Sequence, residues 1–323
     1  MIAQAKKPKF ATMACRASRI FILFCFVCLS RCGVPEKLGA TTSGSSDSHA
    51  EVKAAATLPC NGLVSNCFRP LNHIAFPTAH NAMSSKAEKW GLPNQPNGLR
   101  AQLDAGITGM MIDVHPNDGS IDPAALGKPM LCHGYCVLGQ RDLQDAFEDM
   151  REWLQTHPRT AIVLVVEDYV AETAIDLALK AAQLRSLCIE HATGTPWPTL
   201  AALIDSDTRV LIMLESGKGS LPWNHAYQTI AFDTPYSAET PEEFSCDVLR
   251  GKAGNDFFVV NHFLTKGLSS HEGLAKVVNH NPLLLDRVRK CATKHNQRVN
   301  LIAVNWHTEG DVLAVAQLLN GEP

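Results

Sequence analysis

From residue 60 onward the chain alternates short apolar runs with stretches of helical period. Eight runs read as strands: 73–79, 109–114, 129–133, 161–167, 209–215, 229–233, 256–262 and 300–306. Between them the helical spacing is clearest over 140–156, where Leu143, Phe147, Met150 and Leu154 recur and Pro158 follows the end. Helices are also predicted over 171–187, 272–295 and 311–320, with weaker patterns at 97–105 and 195–204. This alternation argues for βα units and a mainly parallel sheet. Eight strands between residues 60 and 323 match a (β/α)8 barrel, whose usual size is ~250 residues. The competing doubly wound sheet carries a glycine-rich phosphate loop after its first strand, and here that place reads Ala79-His80-Asn81-Ala82. The expected fold is therefore α/β, a (β/α)8 TIM-type barrel, with irregular connections after the second and sixth strands.

The N-terminal residues follow a different pattern. Residues 1–31 carry Lys6, Lys7, Lys9, Arg16, Arg19 and Arg31 and no acid, around the apolar run Ile20 to Leu29. That run is too short to span a bilayer and suits a secretory signal peptide. Leu29-Ser30-Arg31-Cys32-Gly33 is similar to a lipoprotein cleavage site, which would lipidate Cys32, although Arg31 stands where a small residue is usual. Residues 32–57, rich in Ser, Thr, Gly and Ala, read as a flexible linker before a barrel over 58–323. Export, to the medium or the cell envelope, is the expectation. Removing the six leader charges takes the formal charge from −3 to −9, which disfavours nucleic acid and leaves only transient contact with a membrane surface. A monomer is expected.

Of 11 cysteines, seven lie beyond the leader. In an exported protein Cys60 pairs with Cys67, and the further pairs are Cys132 with Cys136 and Cys246 with Cys291, leaving Cys188 as a buried thiol. Metal binding is the other reading of such cysteines, but no tight CxxC pair occurs twice.

The chemistry concentrates where apolar runs end. His80 follows the first run, Asp113 ends Met110-Met111-Ile112-Asp113, His133 follows Met130-Leu131-Cys132, and Glu167 ends the run from Ile162. In a barrel of this class the active site lies at the C-terminal ends of the strands. Two imidazoles supply a base and an acid at neutral pH, and carboxylate and amide oxygens suit a hard cation. Glu215 ends a fifth run and Lys218 lies just beyond it, where each reads equally as mouth or solvated surface. Asp168 alternates away from Glu167 and reads as structural, as does His262. Trp223, Tyr227, Tyr236 and Trp306 suit either ring stacking or packing.

Thr78-Ala79-His80-Asn81-Ala82-Met83, Met111-Ile112-Asp113, Leu131-Cys132-His133-Gly134 and Val166-Glu167 together resemble the X domain of phosphatidylinositol-specific phospholipase C. They are closer still to its exported, PLC-like phosphodiesterase branch, with a Cys60–Cys67 loop and a later Asn261-His262-Phe263-Leu264. The resemblance implies a phosphodiesterase acting on a phospholipid headgroup or related sugar phosphodiester. His80 would be the general base and His133 the general acid. Asn81, Asp113 and Glu167 would hold Ca2+. It also exposes departures: Met111 replaces a carboxylate ligand of calcium-dependent members, and His115 stands where metal-independent members have an arginine. Asn305 takes the place of an aspartate expected to orient the first histidine. His115, Glu215, Lys218 and Asn305 are therefore candidate substrate or phosphate contacts. Two other readings stay open: a non-catalytic lipid- or glycan-binding module, and a phosphodiesterase with another headgroup, such as a glycerophosphodiester hydrolase.

Overall fold

The structure is a computed structural model and describes residues 58–120, 122–217, 219–266 and 270–322. The expected signal peptide and linker, with Cys32, and also Lys218 lie outside the described residues. The strands are β1 (Phe76–Ala79), β2 (Gly109–Pro116), β3 (Pro129–Cys132), β4 (Gln140–Asp142) and β5 (Ile162–Asp168). They continue as β6 (Val210–Leu214), β7 (Asn224–Ala226), β8 (Ala231–Asp233), β9 (Phe257–Asn261) and β10 (Leu301–Val304). Eight of them run parallel in the order β7-β6-β5-β2-β1-β10-β9-β8, curled into an open half-barrel of TIM type.

One predicted barrel strand belongs elsewhere. The segment 129–133 is the antiparallel β3, which folds back on β2 with Val114 opposite Leu131, and β4 pairs with it in turn. A parallel return needs a crossover of a dozen or more residues, usually a helix. Among its described residues the connection 117–128 holds only a short 3-10 turn at Pro123–Ala125, and the chain reverses instead. The vacated barrel position goes to β7, whose sequence Asn-His-Ala has no apolar run to betray it.

The helices are α1 (Leu99–Asp104), α2 (Leu143–Thr156), α3 (Glu172–Ala181), α4 (Leu200–Asp205), α5 (Tyr227–Ile230), α6 (Glu272–Val278), α7 (Leu283–His295) and α8 (Val312–Gly321). In α2 the Asp142 carboxylate caps the first turn by accepting from the Gln144 amide at 2.9 Å, and Leu143, Phe147, Met150 and Leu154 bury one face. The single helix expected over 272–295 is two, because Pro282 lacks the amide that a continuous helix would use.

Period-two alternation divides the barrel strands between two cores. On β5, Ile162, Leu164 and Val166 pack outward against the helices, while Val163 and Val165 fill the interior. On β9, Phe258 and Val260 face out and Phe257 and Val259 face in. Both faces are buried, so the strands read as continuous apolar runs. Cys60–Cys67, Cys132–Cys136 and Cys246–Cys291 are disulfides, and Cys188 is a buried thiol.

Candidate active site

Extending the inward parity of each strand by one step reaches its C-terminal end, where apolar residues give way to polar ones. After Phe76 and Thr78 comes His80; after Met111, Asp113; after Val163 and Val165, Glu167. Leu211 and Met213 lead to Glu215, Ala231 to Asp233, Val259 to Asn261, and Ala303 to Asn305. The interior core thus ends in a polar ring. Above it opens a cavity of about 520 Å3, lined among others by His80, Asn81, Met111, Asp113, His115, His133, Glu167, Tyr169, Tyr236, Arg250, Asn261 and Phe263.

His80 is fixed on three sides. Its backbone amide donates to the Val304 carbonyl at 3.0 Å, its ring stacks on Phe263 at 3.8 Å, and its Nδ1–H donates to Asn305 Oδ1 at 2.9 Å. That last bond leaves Nε2 as the free lone pair. Burial, reinforced by His133 and Arg250 and opposed by the Asn305 hydrogen bond, lowers the His80 pKa to about 3. The ring is neutral at pH 7 and able to take a proton. Asn305 does not line the cavity; it lies behind His80, and its Nδ2 is buried with no partner.

His133 reaches the same cavity by another route. Because β3 runs back along β2, the residue after Cys132 returns to the level of the mouth, and His133 stands there on a loop. Its Nε2 accepts from Asn81 Nδ2 at 3.1 Å. Asn81, next to His80, adopts φ 45°, which turns its side chain from the strand toward His133. Burial lowers the His133 pKa, and the neighbouring Glu167 opposes that shift.

Asp113 and Glu167 are register partners on β2 and β5. Glu167 accepts from the Tyr169 hydroxyl at 3.1 Å, whereas the buried Asp113 carboxylate has no hydrogen-bond or ion-pair partner among the described residues. Burial, then the charges of Glu167 and Glu215, raise the Asp113 pKa well above the usual carboxylate range. Two neighbouring carboxylates at a cavity wall, that of Asp113 without a partner, have the chemistry that fits a calcium ion. Among the described residues no three His, Cys, Asp or Glu gather as a metal cluster, and the further oxygen donor beside them in the cavity lining is the Asn81 amide. Met111 and His115 line the wall on either side of Asp113, as alternation predicts. The His115 ring stacks on Tyr169 at 4.1 Å, and burial lowers its pKa, so it brings no fixed positive charge at pH 7.

Among the described residues, the arginine or lysine that lines the cavity is Arg250, which the sequence does not single out. It sits beyond β8 in an irregular loop with neither periodicity nor motif around it. Its Nε donates to Asp233 Oδ2 at 2.8 Å, its Nη2 also pairs with Asp233 and its Nη1 with Glu215. Tyr227 and Tyr236 flank it at 5.1 and 5.0 Å. Burial pushes the Glu215 pKa up to about 7 despite Arg250, and Glu215 stands behind that arginine rather than at the cavity wall.

Several polar residues prove structural. Asp168 accepts from the Ser216 amide at 2.8 Å, and His262 Nε2 bonds the Val278 carbonyl at 2.8 Å. Trp223 and Trp306 are buried, donating to Asp176 at 2.8 Å and to the Ser270 carbonyl at 3.0 Å. Of the four aromatics singled out, Tyr236 alone reaches the mouth.

The sequence profile of the PI-PLC X family matches residues 66–320. A PI-PLC X domain-containing protein of Arthroderma benhamiae is 25% identical over 291 residues, covering 83% of this chain and 91% of that protein. Another, from Arabidopsis thaliana, is 23% identical over 280 residues, covering 80% of this chain and 62% of its own length. A solved structure of a phosphatidylinositol-specific phospholipase C variant from Staphylococcus aureus superposes with a TM-score of 0.53 at 12% identity, covering 83% of this chain and 96% of that one. At that identity the likeness is one of fold.

Proposed function

The chain belongs to the PI-PLC X family of PLC-like phosphodiesterases, and from that membership we propose that it cleaves a phospholipid headgroup or related sugar phosphodiester through attack by an adjacent hydroxyl. In this reading the hydroxyl gives its proton to Nε2 of His80 as its oxygen bonds phosphorus. The bond from phosphorus to the leaving alcohol breaks, and His133 supplies the proton that alcohol takes. The products are a cyclic phosphodiester and a free alcohol.

The observation that carries the proposal is the pair of histidines facing one cavity, each held by a different neighbour. His80 is neutral, with its second nitrogen tied to Asn305. Burial lowers the pKa of His133, and the charge of the neighbouring Glu167 opposes that shift. Asn81, Asp113 and Glu167 would hold Ca2+, which supplies positive charge against the phosphate when bound. A mouth flanked by Tyr169 and Tyr236 suits a sugar ring, and the cavity of about 520 Å3 is of headgroup size. The three disulfides support residence in an oxidising compartment, as expected of an exported protein. In this reading nucleic acid is not a partner, and membrane contact would be transient.

The test is kcat/KM on phosphatidylinositol in detergent micelles for His80→Ala and His133→Ala. Each is expected to lose ~10²–10⁴-fold, the usual contribution of a positioned acid or base. Undiminished turnover in both variants rejects the proposal.

A further inference from the structure

The two histidines are held by very different means. His80 is anchored by a strand, a ring stack and the Asn305 hydrogen bond. Among the described residues His133 has a single side-chain hydrogen bond, the 3.1 Å contact from Asn81, and its backbone lies on a loop off the barrel. That loop is a ring closed by covalent bonds: Cys132-His133-Gly134-Tyr135-Cys136, shut by the Cys132–Cys136 disulfide. Inside it the Tyr135 amide donates to the His133 carbonyl at 2.9 Å, and Gly134 takes φ +72°, which a residue with a Cβ adopts only under strain. Cys132 and Cys136 are buried, while Tyr135 is 75% exposed. The two sulfur-bearing residues join only Met130 in a small apolar cluster separate from both barrel cores.

We propose that the Cys132–Cys136 disulfide is the positioning device of the general acid, so that Cys132 and Cys136 act on the reaction through His133. The inference rests on the roles given to His133 under Proposed function. Without the cross-link, the segment is still held at its two ends by β3 and by β4, whose Gln140 pairs with Cys132, but the turn between them loses the bond that closes it. The imidazole then samples positions from which it cannot reach the leaving oxygen, and a displacement of ~1 Å is enough to cost ~10²-fold.

The test uses two probes that differ in their need for an acid. Phosphatidylinositol releases an alkoxide that must be protonated; 4-nitrophenyl inositol phosphate releases a phenolate stable without a proton. In the full chain, C132A/C136A is expected to lower kcat/KM on phosphatidylinositol by ~10²-fold and to leave the nitrophenyl probe nearly unchanged. His133→Ala should show the same split, and C60A/C67A, which removes a disulfide away from the cavity, should show none. A split in His133→Ala with equal losses on both probes in C132A/C136A overturns the inference and leaves the acid role standing. No split in His133→Ala overturns the acid role itself. Should C132A/C136A fail to fold, Gly134→Val keeps the disulfide and distorts the turn. It is expected to give the same split, and equal losses on both probes would overturn the inference.

Discussion

Asn305 opposes the effect of burial on the proposed base, and Asn305→Asp measures its contribution directly. In the structure the Asn305 oxygen accepts from His80 Nδ1 at 2.9 Å and from Asn94 Nδ2 at 3.3 Å, while its own Nδ2 has no partner. A carboxylate would sit where two donors already converge and would remove the orphaned N–H. Centres of charge ~4 Å apart at an effective dielectric of ~20 interact by about 4 kcal/mol, or about three pKa units. The His80 pKa would rise from about 3 to near ~6, reduced by the cost of burying the new charge. The sign follows from which form the carboxylate favours: it stabilises the imidazolium, so His80 begins to take up protons as pH falls through ~6. In the parent protein it stays neutral down to about 3. The assay is kcat/KM against pH from about 4 to about 8, beside an NMR titration of the His80 ring. Asn305→Asp should gain an acid limb with a midpoint near ~6 and a higher plateau, because a base works best with its pKa near the operating pH. A folded variant whose acid limb coincides with that of the parent would refute this account of the pair.

Two further outcomes are expected. Met111 stands in the cavity wall two residues before Asp113, so Met111→Glu adds an oxygen donor and should tighten calcium binding at least ~10-fold by calorimetry. Equal affinity in parent and variant would remove calcium from this wall. Arg250→Met leaves Asp233, which is 0% exposed, without its countercharge and should cost about 3–5 kcal/mol in urea unfolding. An unchanged midpoint would mean that Tyr227 and Asn261, which also donate to Asp233, suffice.

The legible parts of this protein were those in which one chemical rule dominates. Strands buried on both faces leave apolar runs, and β5 and β6 are visible for that reason. Parity then places Asp113 and Glu167 at the mouth, because a charge ending an apolar strand needs somewhere polar to go. The run before His133 is just as apolar, but runs do not record direction. Whether β3 joins the barrel or folds back depends on what the 117–128 connection can build, which is a tertiary question. The Asn-His-Ala triplet of β7 pairs with Ile212, Met213 and Leu214 because the curled sheet brings it there, not because its side chains favour a strand. Arg250 was invisible for a similar reason: its partners Glu215 and Asp233 lie 35 and 17 residues away in sequence, and only the closing of the barrel brings them together.

The central claim is acid–base cleavage through a cyclic product, and phosphorus NMR of the full chain turning over phosphatidylinositol tests it most directly. The account predicts that a cyclic inositol phosphodiester signal appears first, ahead of any monoester, and that it is lost in His80→Ala. A monoester that grows from the outset without a cyclic species, or a cyclic signal undiminished in His80→Ala, would contradict it.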